Sequence, residues 1–157
     1  MRGVGRRILP LLLALLLLAL PGCGGKKVQQ ADLQQVYDEI GNRTELPAML
    51  TLNEQRIRNY YGIDPAACRQ CILAVSDEGL RVDEIWLIEA ADEKAAEALL
   101  AIARSRIEQV CAETKEYLPD QYAVAQNAQA LRIGSSVALF LSPDAKEMAE
   151  SFTKAFQ

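Results

Sequence analysis

The sequence predicts an α+β domain with a four-stranded antiparallel sheet, built from two ββα units, whose helices pack mainly on one face. Three observations predict this class. Two pairs of short apolar segments are each joined by a turn, which is typical of β-hairpins. An amphipathic helical pattern follows each pair. The two units also align at a constant spacing of 52 residues, from Ile85 to Val137 and from Asp92 to Asp144.

The chain before the first unit predicts two helices. Apolar residues on one face predict the first, from Val28 to about Asn42. The second is short, begins after a cap at Thr51 or Asn53, and ends at Gly62. We expect these N-terminal helices to cover one end of the sheet or part of its second face.

The first unit follows a single helical turn predicted at Pro65–Cys68. Its strands are predicted at Cys71–Ser76 and Val82–Glu89, and its helix runs from a cap at Asp92 to about Glu113. The centre of the second strand is apolar on both sides. Such a strand lies inside its sheet or has one sheet face covered by another element.

The second unit follows a short helix that ends at about Asn127. Its strands are predicted at Gln129–Ile133 and Ser136–Leu141, and its helix opens at Ser142–Asp144. The buried stripe of that helix is predicted to consist of Met148, Phe152 and Phe156.

Four acidic residues crowd the first hairpin: Asp77, Glu78, Asp83 and Glu84. Carboxylates that converge at a turn can bind calcium, but this spacing matches no calcium-loop motif. We therefore interpret the four residues as a solvated, charge-rich turn.

The N-terminal segment predicts export and lipid anchoring. Three arginines precede an apolar run of about 13 residues, shorter than the roughly 20 that a spanning helix needs. The run ends in Leu20-Pro21-Gly22-Cys23, which resembles a bacterial lipobox, although Ala or Ser is usual at the position of Pro21. The alternatives are an uncleaved anchor and an ordinary signal peptide. We predict a lipoprotein signal peptide at 1–22, a lipidated Cys23 with a flexible tether at 23–30, and a single domain at 31–157.

A lipidated Cys23 predicts the location of the protein. A diacylglycerol thioether supplies two acyl chains, such as palmitate, and two chains anchor a protein stably where one binds only marginally. The expected site is the extracytoplasmic face of the cell membrane, within the bacterial envelope, and the membrane is the first predicted partner.

Composition excludes several function classes. Cleavage before Cys23 would remove three of the 17 basic residues and none of the 21 acidic ones, which leaves a net charge of −7. An acidic domain disfavours nucleic acid as a partner. The chain contains no histidine, which excludes histidine-based triads and histidine-containing zinc sites. We predict no catalytic residues, no metal ligands and no cofactor.

Three cysteines of the expected domain, Cys68, Cys71 and Cys111, form a candidate thiol site. Cys68-Arg69-Gln70-Cys71 has the spacing of a redox pair or of half a metal site. Free structural thiols, a disulfide between any two of the three, and redox or metal chemistry all remain open.

Four of the five tyrosines form a candidate binding surface: Tyr60, Tyr61, Tyr117 and Tyr122. They fall in two turn regions that flank the predicted sheet. Tyrosine combines an apolar ring with a polar tip and is favoured in recognition surfaces. The alternative is structural packing at the edge of the sheet.

Several short motifs, taken together, resemble the domain-of-unknown-function 4358 family. They are Tyr61–Pro65, the Glu84–Ile85 strand leading to Asp92–Ala96, Tyr117–Pro119 with Tyr122, Gly134 before the Val137 strand, and Ser142–Asp144. The resemblance extends from about Leu33 to Phe156, and the order and spacing of the motifs are its specific part. It implies a small bacterial lipoprotein, and it implies no activity and no catalytic residues.

These observations favour a membrane-anchored, non-enzymatic binding or accessory module that contacts an envelope protein or a small ligand. The alternative is a thiol-dependent redox or metal-handling protein that uses Cys68 and Cys71.

Overall fold

The computed structural model describes residues 30–157. The predicted signal peptide, the lipidated Cys23 and nearly all of the tether therefore lie outside the described residues. Among residues 30–157, no helix is long and apolar enough to cross a membrane.

The described chain forms an α+β fold with a single antiparallel sheet, in agreement with the predicted class. The helices are α1 (Leu33–Arg43), α2 (Glu54–Tyr61), α3 (Glu93–Thr114), α4 (Pro119–Gln126) and α5 (Ala145–Lys154), with a 3-10 turn at Pro65–Ala67. The strands are β1 (Met49–Thr51), β2 (Cys68–Ser76), β3 (Glu84–Ala90), β4 (Gln129–Ile133) and β5 (Ser136–Leu141).

The sheet has five strands in the order β1-β2-β3-β5-β4, so the prediction of four strands was wrong. The additional strand is β1, which pairs Met49 with Ser76 and Thr51 with Ala74 at the outer edge of β2. The two predicted hairpins are both present, and they meet where β3 pairs with β5.

The helices cover both faces of the sheet, so the prediction that they pack mainly on one face was also wrong. On one face, Trp86 and Ile88 belong to a core cluster with residues of α2 and α3. On the other face, Ile85 and Leu87 belong to a cluster with α1 and α5. The physical reason is that every residue of β3 and β5 is buried. Successive residues of a strand point to opposite faces of the sheet, so apolar residues on both sides of these strands need cover on both faces.

The predicted caps fix the helices beside the sheet. The side chain of Asn53 accepts from the backbone N–H of Arg56 and begins α2, and Asp92 accepts from that of Ala95 and begins α3. Gly62 ends α2 in the left-handed conformation at φ 67°, which glycine adopts without a Cβ penalty.

Candidate functional site

A cleft of about 500 Å³ opens at the start of β3, between β1, α2 and α3. Leu50, Arg56, Tyr60, Tyr61 and Arg106 line it together with Glu84, and we call it the Glu84 cleft. This volume lies within the range of small-molecule binding sites.

Glu84 is a buried charged group of the cleft, with only 2% of the residue exposed. One carboxylate oxygen accepts a 2.6 Å hydrogen bond from the indole N–H of Trp86. The other accepts from Arg106, at 3.1 Å from Nε and 2.9 Å from Nη2. A buried carboxylate is therefore held by a strong donor on each of its two oxygens.

Tyr61 completes the constellation around this ion pair. Its ring packs edge-on against Trp86 with 4.9 Å between centroids, and the guanidinium of Arg106 lies 5.7 Å from the ring centroid. Burial is the largest cause that raises the pKa of Tyr61 well above its usual range, and the negative charge of Glu84 is the second. The phenol is therefore neutral at physiological pH, able to donate a hydrogen bond and not to act as a base.

Arg106 keeps its charge although it is partly buried. Burial alone would lower the pKa of Arg106, but the charge of Glu84 and the hydrogen bonds to it raise the pKa. Arg106 therefore keeps a positive charge next to the carboxylate of Glu84, in a region from which water is partly excluded.

A second buried carboxylate lies next to the first. Asp83 accepts from Arg81 at 2.9 and 3.0 Å, and the backbone N–H of Val82 donates to Gln121 of α4 at 3.0 Å. The interpretation of Asp83 and Glu84 as part of a solvated turn was therefore wrong. Each has an arginine partner that allows it to lie inside the fold, whereas Asp77 and Glu78 are exposed.

The structure brings together only half of the predicted tyrosine surface. Tyr60, which is 72% exposed, and Tyr61 both line the cleft. Tyr117 lies in the turn after α3 and is 85% exposed, and Tyr122 lies in α4, where its hydroxyl accepts from Gln126. Neither of these two lines the Glu84 cleft.

Cys68 and Cys71 lie on the same side of β2 because the register shifts between Cys68 and Gln70. The extra residue of this β-bulge reverses the alternation that would put them on opposite faces. Both thiols are free, and they pack, with Cys111, against the cluster that contains Trp86. Burial raises the pKa of both, that of Cys71 to about 12, so neither is an activated thiolate near neutral pH.

A separate polar network lies at the far end of β3. The buried Glu89 accepts hydrogen bonds from Gln30, Arg69 and Gln70, and Gln70 also accepts from the backbone N–H of Leu33. Burial alone would raise the pKa of Glu89, but these hydrogen bonds and the charge of Arg69 together lower it. The network joins the first described residues to the centre of the sheet.

Two acidic side chains of the cleft are already paired. Glu84 and Asp83 each form an ion pair with an arginine. Within residues 30–157, no group of three or more cysteine, aspartate or glutamate residues is arranged to hold a metal ion. What the cleft offers is a phenol, an aromatic surface, apolar walls and guanidinium groups.

The fold and the cleft define a small α+β domain with a five-stranded antiparallel sheet that is covered on both faces. The chain belongs to the family described as Domain of unknown function (DUF4358), which matches residues 42–142. The resemblance inferred from the motifs is thereby confirmed. The match contains every residue that lines the Glu84 cleft and leaves out α5 and most of α1. No curated protein and no solved structure matches the chain.

Proposed function

We propose that the protein is a lipid-anchored binding module on the extracytoplasmic face of the cell membrane, and that the Glu84 cleft is its ligand site. The observation that carries this proposal is the ion pair between Glu84 and Arg106. Burying two charges costs several kcal/mol per ion, and well-packed apolar residues often give a more stable protein. Such a pair beside an open cleft points to recognition, because functional sites concentrate buried charges.

The first described residue lies away from the cleft. Gln30 contacts Glu89, whereas the cleft lies around Glu84, five residues away along β3 and on the other face of the sheet. At about 3.3 Å per residue, the two glutamates are roughly 17 Å apart along the strand. An anchor upstream of Gln30 would therefore join the domain at the end that is remote from the cleft.

The anchor is tested by metabolic labelling. Cells that express the tagged chain are fed an alkyne analogue of palmitate, which is then coupled to a fluorophore. The wild-type chain should be labelled and should fractionate with membranes, and the Cys23→Ala variant should lose the label. Labelling that persists in Cys23→Ala would refute a lipid anchor at this residue.

The binding site is tested by photo-crosslinking in intact cells. A benzophenone amino acid is placed at Tyr60, in the cleft, or at Tyr117, which is equally accessible to solvent and lies outside it. The proposal expects an adduct at Tyr60 that is absent at Tyr117 and is reduced by Arg56→Met, because Arg56 lines the cleft and its side chain makes no ion pair within residues 30–157. The same adducts at both positions, or an adduct at Tyr117 alone, would exclude the cleft as the binding site.

A thiol-dependent function is the second candidate, favoured by the bulge that puts Cys68 and Cys71 on one side of β2. The raised pKa of each thiol argues against nucleophilic redox catalysis. A chain that carries Cys68→Ser and Cys71→Ser together separates the two candidates. If it complements a deletion strain as well as wild type, the thiol function is excluded.

A further inference from the structure

We infer that the Glu84 cleft recognises an extended peptide segment of a partner protein, which adds to β1 as a sixth strand. This inference depends on the proposed function, because it assigns a ligand class to the same cleft. It comes from three features that residues 30–157 bring together near β1: an unpaired outer backbone edge, exposed apolar side chains and an arginine that makes no ion pair within this range.

The outer edge of β1 has backbone groups available for pairing. The N–H of Leu52 donates to the carbonyl of Leu73, and the carbonyl of Ala48 accepts from the N–H of Asp77, both at 2.8 Å. Hydrogen-bonded positions alternate along an antiparallel strand, so residues 48, 50 and 52 face β2. The N–H and C=O groups of Met49 and Thr51 therefore point away from the sheet, where β1 is the terminal strand.

Exposed apolar surface lies next to this free edge. Leu50, which is 39% exposed, pairs with Val75, and both side chains line the cleft. Tyr60 adds an exposed ring to the same surface. Because side chains alternate between faces along a strand, an added strand would direct every second side chain into the cleft beside Leu50 and Tyr60.

One cation of the cleft, Arg56, favours an acidic residue in the peptide. Arg81 and Arg106 are neutralised by Asp83 and Glu84, whereas the hydrogen-bond partner of Glu113, on α3, is the neutral amide of Gln109. Arg56 is the charged lining residue whose side chain makes no ion pair or hydrogen bond within residues 30–157. Arg56 lies on α2, five residues after Thr51, the last residue of β1, and it lines the cleft, where its guanidinium can bind a carboxylate.

The short length of β1 limits the number of backbone hydrogen bonds that a bound peptide can make. Met49 and Thr51 together offer two donors and two acceptors, so the backbone alone cannot hold a peptide firmly. The peptide must also place an apolar side chain on Leu50 and Tyr60. The expected ligand is therefore an extended segment with an apolar residue and a nearby acidic residue.

The test uses a display library of random decapeptides, selected on the purified full-length protein in detergent micelles. The selected peptides should carry an apolar and an acidic residue. Their binding is then compared between Thr51→Pro and Thr51→Val. Both variants lose the Thr51 hydroxyl and with it the side-chain hydrogen bond to Tyr37. Only proline also removes the backbone N–H that points away from the sheet. Proline is tolerated at such edge positions because that N–H does not bond to the sheet.

We expect Thr51→Pro to weaken peptide binding at least about tenfold and Thr51→Val to leave it within about twofold, which corresponds to one lost hydrogen bond. N-methylation of the peptide gives a second test on wild-type protein, independent of the folding of any variant. In an added strand, every second peptide N–H faces β1, and methyl groups on these nitrogens should abolish binding. Methyl groups on the nitrogens between them, which point away from β1, should leave binding unchanged.

Strand addition is overturned if Thr51→Pro binds as well as Thr51→Val, if every N-methylated peptide binds equally, or if the library yields no binder. These failures are distinct from failure of the proposed function. A Tyr60 crosslink that persists in Thr51→Pro would keep the cleft as the binding site while excluding strand addition.

Discussion

Glu84 and Glu89 lie at opposite ends of β3 and on opposite faces of the sheet, and both are almost completely buried, with 2% and 3% of the residue exposed. Glu84 is held by Arg106 and Trp86 and lines the cleft. Glu89 is held by side chains of the first described residues and of β2. The central strand therefore carries two separate polar networks, one at the candidate site and one where the chain enters the domain.

Removal of Arg106 should destabilise the protein strongly. Arg106→Met removes two donors and the counter-charge, and leaves the buried carboxylate of Glu84 with the hydrogen bond from Trp86. Breaking a buried pair in this way costs about 3 kcal/mol. Urea unfolding of the full chain, followed by the fluorescence of its single tryptophan, measures the change in the free energy of unfolding.

Two further variants make this prediction specific. Glu84→Gln in the Arg106→Met background removes the unpaired charge, keeps an acceptor for Trp86 and should recover most of the loss. Arg43→Met removes the partner of Glu39 in an exposed pair and should change stability by less than about 1 kcal/mol. Equal losses in Arg43→Met and Arg106→Met would contradict the account of Glu84.

The Glu89 network should make stability depend on pH in the acid range. The folded pKa of Glu89 lies below its ordinary value of 4.5, so the unfolded chain binds more protons than the folded chain in this range. The stability from Glu89 is therefore present above the ordinary pKa and is lost as the pH falls through the folded pKa.

Glu89→Gln should flatten the fall in the free energy of unfolding below about pH 4.5. The exposed Glu97 on α3 provides the control, because Glu97→Gln removes the same charge from a side chain that forms no ion pair within residues 30–157. Unfolding free energies measured between about pH 3 and pH 7 test the prediction. If Glu89→Gln kept the pH dependence of the wild-type protein, the Glu89 network would contribute nothing to the pH dependence of the free energy of unfolding.

The strongly patterned elements of the fold could be predicted from the sequence, and β1 could not. The 22 residues of α3 repeat an apolar stripe over many turns, and β3 and β5 are apolar runs between turns. β1 has three residues, too few to establish an alternating pattern, and its pairing with β2 is a tertiary contact. The sequence indicates Thr51 only as a helix cap.

The choice of sheet face could not be predicted for a different reason. The stripes of α3 and α5 show which side of each helix is buried, but a stripe does not specify the face of the sheet against which it packs. The informative sign was β3 itself, whose residues are apolar on both sides. That pattern requires cover on both faces, which α1 and α5 supply on the face opposite α3.

The candidate site was predicted in part. Tyr60 and Tyr61 can be identified from the sequence because tyrosines in turn regions that flank a sheet are favoured in recognition surfaces. Glu84 was interpreted as solvated because its partner Arg106 lies 22 residues away on another element. One local signal was available: Glu84 directly precedes the apolar run that contains Trp86, where a carboxylate must be paired if the run is buried.

The cysteines of β2 should react slowly in the folded protein. The raised pKa of Cys68 and the pKa of about 12 for Cys71 leave few thiolates near neutral pH, and only the thiolate reacts. Iodoacetamide should alkylate Cys71 more slowly than Cys68, and both much more slowly than in urea. Peptide mass spectrometry at timed intervals measures each rate. Alkylation of Cys71 at its unfolded rate would reveal an exposed, activated thiol and revive the redox alternative.

Glycine-to-alanine changes at two positions should have opposite effects on stability. Gly62 ends α2 at φ 67°, where alanine is strained although its Cβ would meet no atom within 4 Å. Gly62→Ala should therefore cost about 1 kcal/mol. Gly41 lies inside α1 without a positive φ, and an added Cβ there also meets open space. Gly41→Ala should therefore stabilise the protein by about 0.5 to 1 kcal/mol.

The same pair of variants tests whether the end of α2 positions the cleft. Strain at Gly62 acts on the turn that follows Tyr60 and Tyr61, whereas Gly41 lies on the helix layer of the other face. Gly62→Ala should therefore reduce the Tyr60 photo-crosslink as well as stability, and Gly41→Ala should leave the crosslink unchanged. Thermal unfolding and crosslinking of the two variants, measured side by side, separate a local effect on the cleft from a general loss of stability. A crosslink that is unchanged in Gly62→Ala would show that the cleft tolerates movement of this turn.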